Sequence, residues 1–477
     1  MNAQRSTSGR RVVVSLVAGL SLAGWTSMAS GQTLRVPEEF TTIQAAVNAA
    51  PAGAVVSVAP GTYGPVNFSG KNITVRSRSG AASTVISAGN QARYAVTFAM
   101  GEGRAALLEG FTITGGRGTM TGSPNGGGVR IANASPTLRD LVITGNQSIR
   151  GGGVHVRSGA PMLSGVTVRN NLAQFGGGIY AESAAPMLSR VTVDSNDARS
   201  DGGGVYALGG SITLHDSAVR SNAAQGVGVG LFLGEAQLDL LRVTIEGNGL
   251  RTLAGADPDT RAFGGGGLYT SGQISGVMNA LTVRNNAAFA GAGLYLAGEA
   301  SGLTVANVLA TGNTGTLGNG IYFNGTGATV VHATIVNNPG GLGVYAANAA
   351  AGSLVNSIVS GHGLPSDGWD LAGGSTARIA LRSSAVGGRV LSNAVLVGAS
   401  VAQDAGLPID AATFVPRAGG LAVDSGDRAA VPAFLKKDLL GNPRISGAGV
   451  DLGAIELPQA RRMISGARSA GPVNIAD

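Results

Sequence analysis

The chain has 477 residues, of which 79 are glycine, none is cysteine, 12% are charged and 4% are aromatic. That much glycine without a triplet repeat excludes collagen and argues against an ordinary helical or α/β enzyme. The missing cysteine excludes disulfides, thiolate metal sites, a cysteine nucleophile and a lipidated N-terminal cysteine; the net charge of +7 is spread without a Lys/Arg block, so no concentrated basic face for nucleic acid is expected.

The amino terminus reads as an export signal over residues 1–31. Arg5, Arg10 and Arg11 precede the apolar run VVVSLVAGLSLAGW (12–25), and Ala29-Ser30-Gly31 supplies small residues for cleavage. The run is too short to span a bilayer comfortably, so no transmembrane segment is expected. The arginine pair leaves the general and twin-arginine routes both open. The expectation is a bacterial protein, secreted or exported to the cell surface.

Next comes TTIQAAVNAA (41–50), which places Ile43, Ala46, Val47 and Ala50 on one helical face. A short helix there can cover an exposed strand edge. From about residue 128 the chain repeats. One column of Asn falls at Asn146, Asn171, Asn196, Asn222, Asn248, Asn286, Asn313 and Asn338, in steps of 25, 25, 26, 26, 38, 27 and 25. A stricter column holds Gly128, Gly153, Gly178, Gly204, Gly230, Gly267, Gly293, Gly320 and Gly343. Within each repeat the apolar period is two, as in V-T-V at 166–168 and 191–193, the mark of short half-buried strands.

A unit this short suits three strands and three turns, one coil of a parallel β-helix. The fold class expected is all-β: a right-handed single-stranded parallel β-helix over 32–390 with a short N-terminal capping helix. Identical positions then stack about 4.8 Å apart. Stacked Asn amides can bond to one another in a turn, and glycines sit where a Cβ would clash or φ must be positive.

VVSVAPGTYGPVNFSGKNITVRS (55–77) resembles the opening of pectinesterase-like secreted β-helix proteins. SGDRAAVPAFLKKDLLGNPRISGAGVDLGAIE (425–456) resembles the closing segment of bacterial surface β-helix proteins called choice-of-anchor. The repeats between them resemble polymorphic outer-membrane proteins and right-handed β-helix repeats generally. Together these resemblances cover roughly residues 33–456 and place the chain near the pectin-lyase-like superfamily. They carry over no catalytic residue. The Gln-Asp-Thr, Asp-Phe-Ile-Phe-Gly and Gly-Arg-Pro-Trp signatures of pectinesterases are absent, and Tyr63 is followed by Gly64 and Pro65 rather than Glu.

Three outward columns invite a functional reading. The first runs Arg169, Asp194, Arg220, Glu246, Arg284, alternating in sign from coil to coil. Beside it run a threonine column (Thr167, Thr192, Thr244, Thr282, Thr334) and a mixed one (Asp140, Gly165, Arg190, Asp216, Arg242, Ala280, Asn307, His332). A ladder of ion pairs explains the charges. A glycosidase pair does not, because Arg220 lies between Asp194 and Glu246, and Asp194 and Asp216 fall in separate columns. The flanking charges likewise argue against an ice-binding threonine face.

The second feature is aromatic: Arg130, His155, Tyr180, Tyr206, Phe232, Tyr269, Tyr295, Tyr322, Tyr345. Seven consecutive coils place an aromatic there, alternating with buried neighbours and running beside the all-Gly column, which would leave room next to the rings. Stacked rings stabilise one another and also offer a rigid surface for sugar rings. The third feature is an insertion, GLRTLAGADPDTRAFG (249–264). Its Arg251, Asp257, Asp259 and Arg261 either solvate a turn or form a site, with Ca²⁺ if the protein is a lyase.

Gly-His-Gly at 361–363 matches a polygalacturonase triplet, but Asn-Thr-Asp and Asp-Asp are missing. NSIVSGH aligns on NVLATGN, which puts His362 in the Asn column. After about residue 385 the period fades, and residues 391–456 are expected to close the solenoid over its last strand edge. The tail 457–477 is expected to be disordered.

The leading expectation is a monomeric, non-catalytic surface or secreted protein. It would bind polysaccharide or a cell-surface glycan through Tyr180, Tyr206, Phe232, Tyr269, Tyr295, Tyr322 and Tyr345, without a cofactor. The alternatives are a polysaccharide lyase or hydrolase built on the insertion, and a structural spacer.

Overall fold

The computed structural model describes residues 31–91, 93–118, 127–249, 263–362, 369–390, 395–397, 402–403 and 407–458. The chain divides into residues 1–31 and 32–477; the described strands and helices all lie in the second unit. The expected export signal and the insertion residues Arg251, Asp257, Asp259 and Arg261 lie outside the described residues. So does nearly all of the tail expected to be disordered.

Residues from Gln32 onward wind into a parallel β-solenoid of about 12 turns. The coil beginning at Ile179 shows the plan. Ile179–Ala184, Met187–Ser189 and Thr192–Asp194 form its three sides, called here the aromatic, middle and threonine faces. Each strand pairs in parallel with its counterpart one coil on: Ile179 with Val205, Leu188 with Leu214, Val193 with Val219. Alternation therefore sends the same columns inward at every level. Ile179, Val205 and Leu231, then Leu188, Leu214 and Leu240, then Val193, Val219 and Ile245 are each at most 1% exposed. Each such side chain contributes about 1.5–3 kcal/mol by leaving water.

Three separate strands per coil hold in the earlier coils and again late in the chain, as in Val344–Ala347, Ala351–Val355 and Ile358–Ser360, but not in the coils between. Val205–Arg220 and Leu231–Glu246 each run unbroken through all three faces. Their last corner needs only one left-handed residue, Asp216 (φ 51) or Arg242 (φ 53), so pairing resumes on either side of it.

The expected N-terminal helix is present as Ile43–Ala49. Thr42 caps its start, accepting from the Ala45 amide at 3.1 Å. Ile43, Ala46 and Val47 are buried. Lys71 closes the other end, its Nζ donating to the carbonyls of Val47, Asn48 and Ala50 at 2.6–2.9 Å, where a cation meets the negative pole of the helix.

The Asn column forms a continuous ladder. The amide N–H and Nδ2 of Asn196 both donate to Oδ1 of Asn222 at 3.0 Å, and Nδ2 also donates to the Val168 carbonyl at 2.9 Å. The pattern repeats from Asn146 to Asn338. His362 takes the next place: its Nδ1 accepts from the Asn338 amide at 3.2 Å, and Nε2 faces the Ile335 carbonyl at 2.9 Å. Burial holds its pKa down to about 4, so the ring is neutral and ends the ladder.

Among the described residues, the closing segment makes hydrogen bonds along the flank of the later coils. Asn307 Nδ2 donates to the Lys437 carbonyl at 2.7 Å, Ala454 N to Thr334 Oγ1 at 2.9 Å, Gly453 N to the Asn356 carbonyl at 2.8 Å, and Asn356 Nδ2 to the Asp427 carbonyl at 2.9 Å. Val336, Ile358 and Ala385 of the threonine face bury themselves against Ile409, Ala422 and Leu452. At the centre lies Arg444, 1% exposed. It donates to Glu456 Oε1 at 3.0 and 2.5 Å, to Asn307 Oδ1 at 3.1 Å and to the Gly453 carbonyl at 3.0 Å. Arg444 thus ties the segment to the solenoid wall through Asn307, while the carboxylates of Asp438, Asp451 and Glu456 accept from groups of the segment itself.

Candidate functional site

The aromatic column forms as alternation requires. His155, Tyr180, Tyr206, Phe232, Tyr269, Tyr295, Tyr322 and Tyr345 are register partners in succession. Ring centroids from Tyr180 to Tyr345 lie 4.3–5.6 Å apart; the planes tilt by 24° or less down to Tyr322, and by 42° at the last pair. The rings therefore stack along the solenoid axis and cover one another's faces. What they turn outward is edges and hydroxyls, a different surface from the flat platform that the spacing alone suggests.

The glycines before each aromatic strand explain how close the next turn can come. Gly202 has φ +65, and a Cβ on it would lie 2.8 Å from Cβ of Tyr206. It is this first glycine of the triplet that makes room beside the rings. The third glycine, the strict column, does other work. A Cβ on Gly204 would meet Asn222 Nδ2 at 2.9 Å and Val219 Cγ1 at 3.0 Å. Glycine and Asn recur together because each Asn rung fills the space that glycine leaves.

Tyr180, Phe232 and Tyr322 are buried, and Tyr206, Tyr269, Tyr295 and Tyr345 are half-buried. Burial raises the phenol pKa values of Tyr180, Tyr206, Tyr269, Tyr295 and Tyr322, that of Tyr206 to about 12; Tyr295 rises although Asn324 Nδ2 donates to its oxygen at 2.8 Å. These hydroxyls stay protonated and can both donate and accept.

Beside the column stand groups that the repeat pattern did not single out. Arg150 lies 5.5 Å over the Tyr180 ring and 3.7 Å from Glu182. Phe263 and Phe289, on the turn side, are 81% and 44% exposed. At the corner between the aromatic and middle faces, a cavity of about 870 Å³ is lined by Glu235, Gln237, Gln273, Ser275 and Glu299, with Gln273 Nε2 3.5 Å from Glu299 Oε2. Glu235 sits there at φ 48, in a column otherwise held by Ser183, Gly209, Gly272 and Gly298. A long charged side chain at a left-handed corner was the sequence signal for this cavity. At the start of the column, Tyr94, Thr97, Arg130, His155 and Arg157 line a second cavity of about 370 Å³.

The charge ladder on the threonine face is formed in pairs: Arg220–Asp194 at 3.5 Å, Arg284–Glu246 at 2.9 Å and, one column over, Arg242–Asp216 at 2.5 Å. Among the described residues, no group of three or more His, Asp or Glu side chains is placed to share a metal ion.

No family model and no curated protein matches the chain. Solved structures do. Pectate lyase Pel9A is 14% identical, covering 87% of this chain and 91% of its own, with a TM-score of 0.40. The A-module of mannuronan C-5 epimerase AlgE6 from Azotobacter vinelandii is 14% identical over 76% and 94%, TM-score 0.35. PfbA, a surface adhesin of Streptococcus pneumoniae, is 10% identical over 72% and 85%, TM-score 0.30. At such identities the likeness is one of fold, and it assigns no residue here.

Proposed function

We propose that the protein is exported and binds a polysaccharide or a cell-surface glycan along the aromatic face, as a binding protein rather than a catalyst. The observation that carries this is the unbroken run of seven stacked aromatic side chains from Tyr180 to Tyr345, of which Tyr206, Tyr269, Tyr295 and Tyr345 reach the surface. Their edges and hydroxyls form a rigid polar strip. Phe263 and Phe289 are exposed in the turns that lead into the aromatic strands, and Gln237 and Gln273 supply amides at the corner. A sugar chain offers hydroxyls for the strip and C–H faces for the phenylalanines.

Retention on a glycan array tests this. Replacing Tyr206, Tyr269 and Tyr295 by Ala should abolish it. Those rings also stack, so Phe263→Ala with Phe289→Ala, both exposed, should weaken retention without unfolding the protein. Equal retention by all variants, or none by the parent, overturns the reading.

One observation favours a second reading, a polysaccharide hydrolase or lyase. Glu235 and Glu299 line the corner cavity from backbone positions two coils apart, about 9.6 Å along the axis at 4.8 Å per coil, and Glu235 leans over Gly272 of the coil between them, so side chains of this length can bring the carboxyls within the separation of an inverting pair. Chain cleavage lost in Glu235→Gln would establish it. Activity that needs calcium and is lost in Asp257→Ala plus Asp259→Ala would place a lyase site on the insertion instead.

A further inference from the structure

Where the aromatic column begins, its chemistry changes. Thr97, Arg130, His155 and Tyr180 are register partners in succession, so two basic positions precede the first tyrosine. Arg157 stands two residues beyond His155 on the same strand and faces the same side. With Tyr94, these side chains line the 370 Å³ cavity. That volume exceeds many times the roughly 30 Å³ share of one water.

Two features of this cavity have no structural explanation. First, neither Arg130 nor Arg157 has an ion pair or a side-chain hydrogen bond among the described residues, in contrast to Arg150, which lies 3.7 Å from Glu182. Second, His155 is 6% exposed and its Nε2 is buried without a hydrogen-bond partner. The other ring nitrogen, Nδ1, lies 3.2 Å from the Tyr94 hydroxyl. In the tautomer in which Tyr94 donates there, the neutral ring carries its proton on Nε2. A buried donor left unmade costs about 1–3 kcal/mol. An acceptor bearing negative charge would satisfy that donor and both guanidiniums together.

We infer that the cavity lined by Arg130, His155 and Arg157 binds a singly charged oxyanion, a carboxylate or a sulfate ester, borne by the chain that lies along the aromatic column. The nature of the carrier rests on the glycan reading above; the ion site does not. Tyr180, edge-on to His155 at 5.5 Å and 75°, joins the cavity to the tyrosine strip. A ligand anchored by its charge at Arg130 and Arg157 would thus continue over the hydroxyls beyond.

The ring surroundings are Arg130, Arg150 and Arg157, with the phenols of Tyr94 and Tyr180. Burial and these three cations hold the His155 pKa down to about 4. An anion in the cavity reverses part of that push, so ligand binding should raise the pKa and shift the ring signal.

The test is a titration of the full chain, ¹³C-labelled at histidine, with sodium sulfate and sodium acetate against sodium chloride. The chain has 4 histidines, and His155→Gln assigns the signal. Sulfate or acetate should move it saturably where chloride does not. Arg130→Ala with Arg157→Ala, on the adjacent strands Gly127–Ala132 and Val154–Arg157, should weaken that response on the order of tenfold or more. A signal that ignores all three salts, follows chloride equally, or responds unchanged in the double variant overturns the inference and leaves a water-filled cavity.

Retention of uronate, sulfated and neutral oligosaccharides then separates the carriers. The double variant should lose one charged class and keep the neutral one. If no glycan is retained while sulfate still moves His155, the glycan reading falls and the ion site stands. If charged and neutral chains bind alike in parent and variant, the ion site falls and the glycan reading stands.

Discussion

The flank of the solenoid comes in two halves that share one backbone and differ in chemistry. The left-handed corner column reads Asp140, Arg190, Asp216 and Arg242 in the earlier coils, all exposed. It continues as Asn307, His332 and Asn356, all 0% exposed, in the later ones. The backbone is the same throughout, with φ between 49 and 56 at every one of these residues. What changes is the neighbour. The early half faces water, where Arg242 pairs with Asp216 one coil away. The later half faces the closing segment and turns neutral, because an unpaired charge would be buried there. The threonine column changes with it: after Thr167, Thr192, Thr244 and Thr282, Leu309 and Ile358 flank a buried Thr334. A column switching from charged to neutral along a regular solenoid therefore marks where a second layer docks.

Three substitutions sharpen this contrast. The largest effect belongs to Arg444→Ala, which leaves Glu456 buried without its cation. A loss of about 3–5 kcal/mol is expected, read as a lower denaturation midpoint together with early proteolysis in the closing segment. An unchanged midpoint would mean that the covered half does not depend on the clamp.

His362→Asn comes next. Burial holds the His362 pKa at about 4, below its ordinary 6.5. The unfolded chain takes the proton first, so the ring's contribution is complete above about pH 6.5 and is lost as pH falls toward 4. The difference in stability between pH 7 and pH 4 should shrink by about 3 kcal/mol in the variant, since each pKa unit is worth about 1.4 kcal/mol. An Asn at that place also continues the ladder of Asn338. Parallel pH curves for the two proteins would count against a neutral, ladder-ending ring.

The smallest effect belongs to Arg284→Ala in the exposed half. Its pair with Glu246 is 2.9 Å long but 47% and 32% exposed, worth about 0–1 kcal/mol. A change as large as that of Arg444→Ala would erase the distinction between the halves.

The columns were legible in the sequence because the period barely varies. Once the Asn and Gly positions align, stacking follows, and with it the place of His362, the ring column and the sign-alternating ladder. Three things were not legible. The direction of ring stacking depends on side-chain torsions that periodicity does not report. Phe263 and Phe289 lie in turns, where no period places them. The flank contacts join residues 71 to 137 positions apart, as in Asn356–Asp427 and Asn307–Arg444, so a local pattern cannot reveal them. Yet their trace was present in Asn307 and His332, which break the run of charges. The start of the aromatic column told a similar story: Arg130 and His155 stood in it as exceptions, and exceptions in a regular column are where ligands and partners fit.

The central claim is that the closing segment lies along the flank of the later coils. The chain has no cysteine, so the pair Thr334→Cys and Ala454→Cys reports on it directly, because Ala454 N meets Thr334 Oγ1 at 2.9 Å. Under mild oxidation the account predicts one intramolecular disulfide that reduction reverses. Two free thiols after the same treatment, in a protein that is folded, would contradict it.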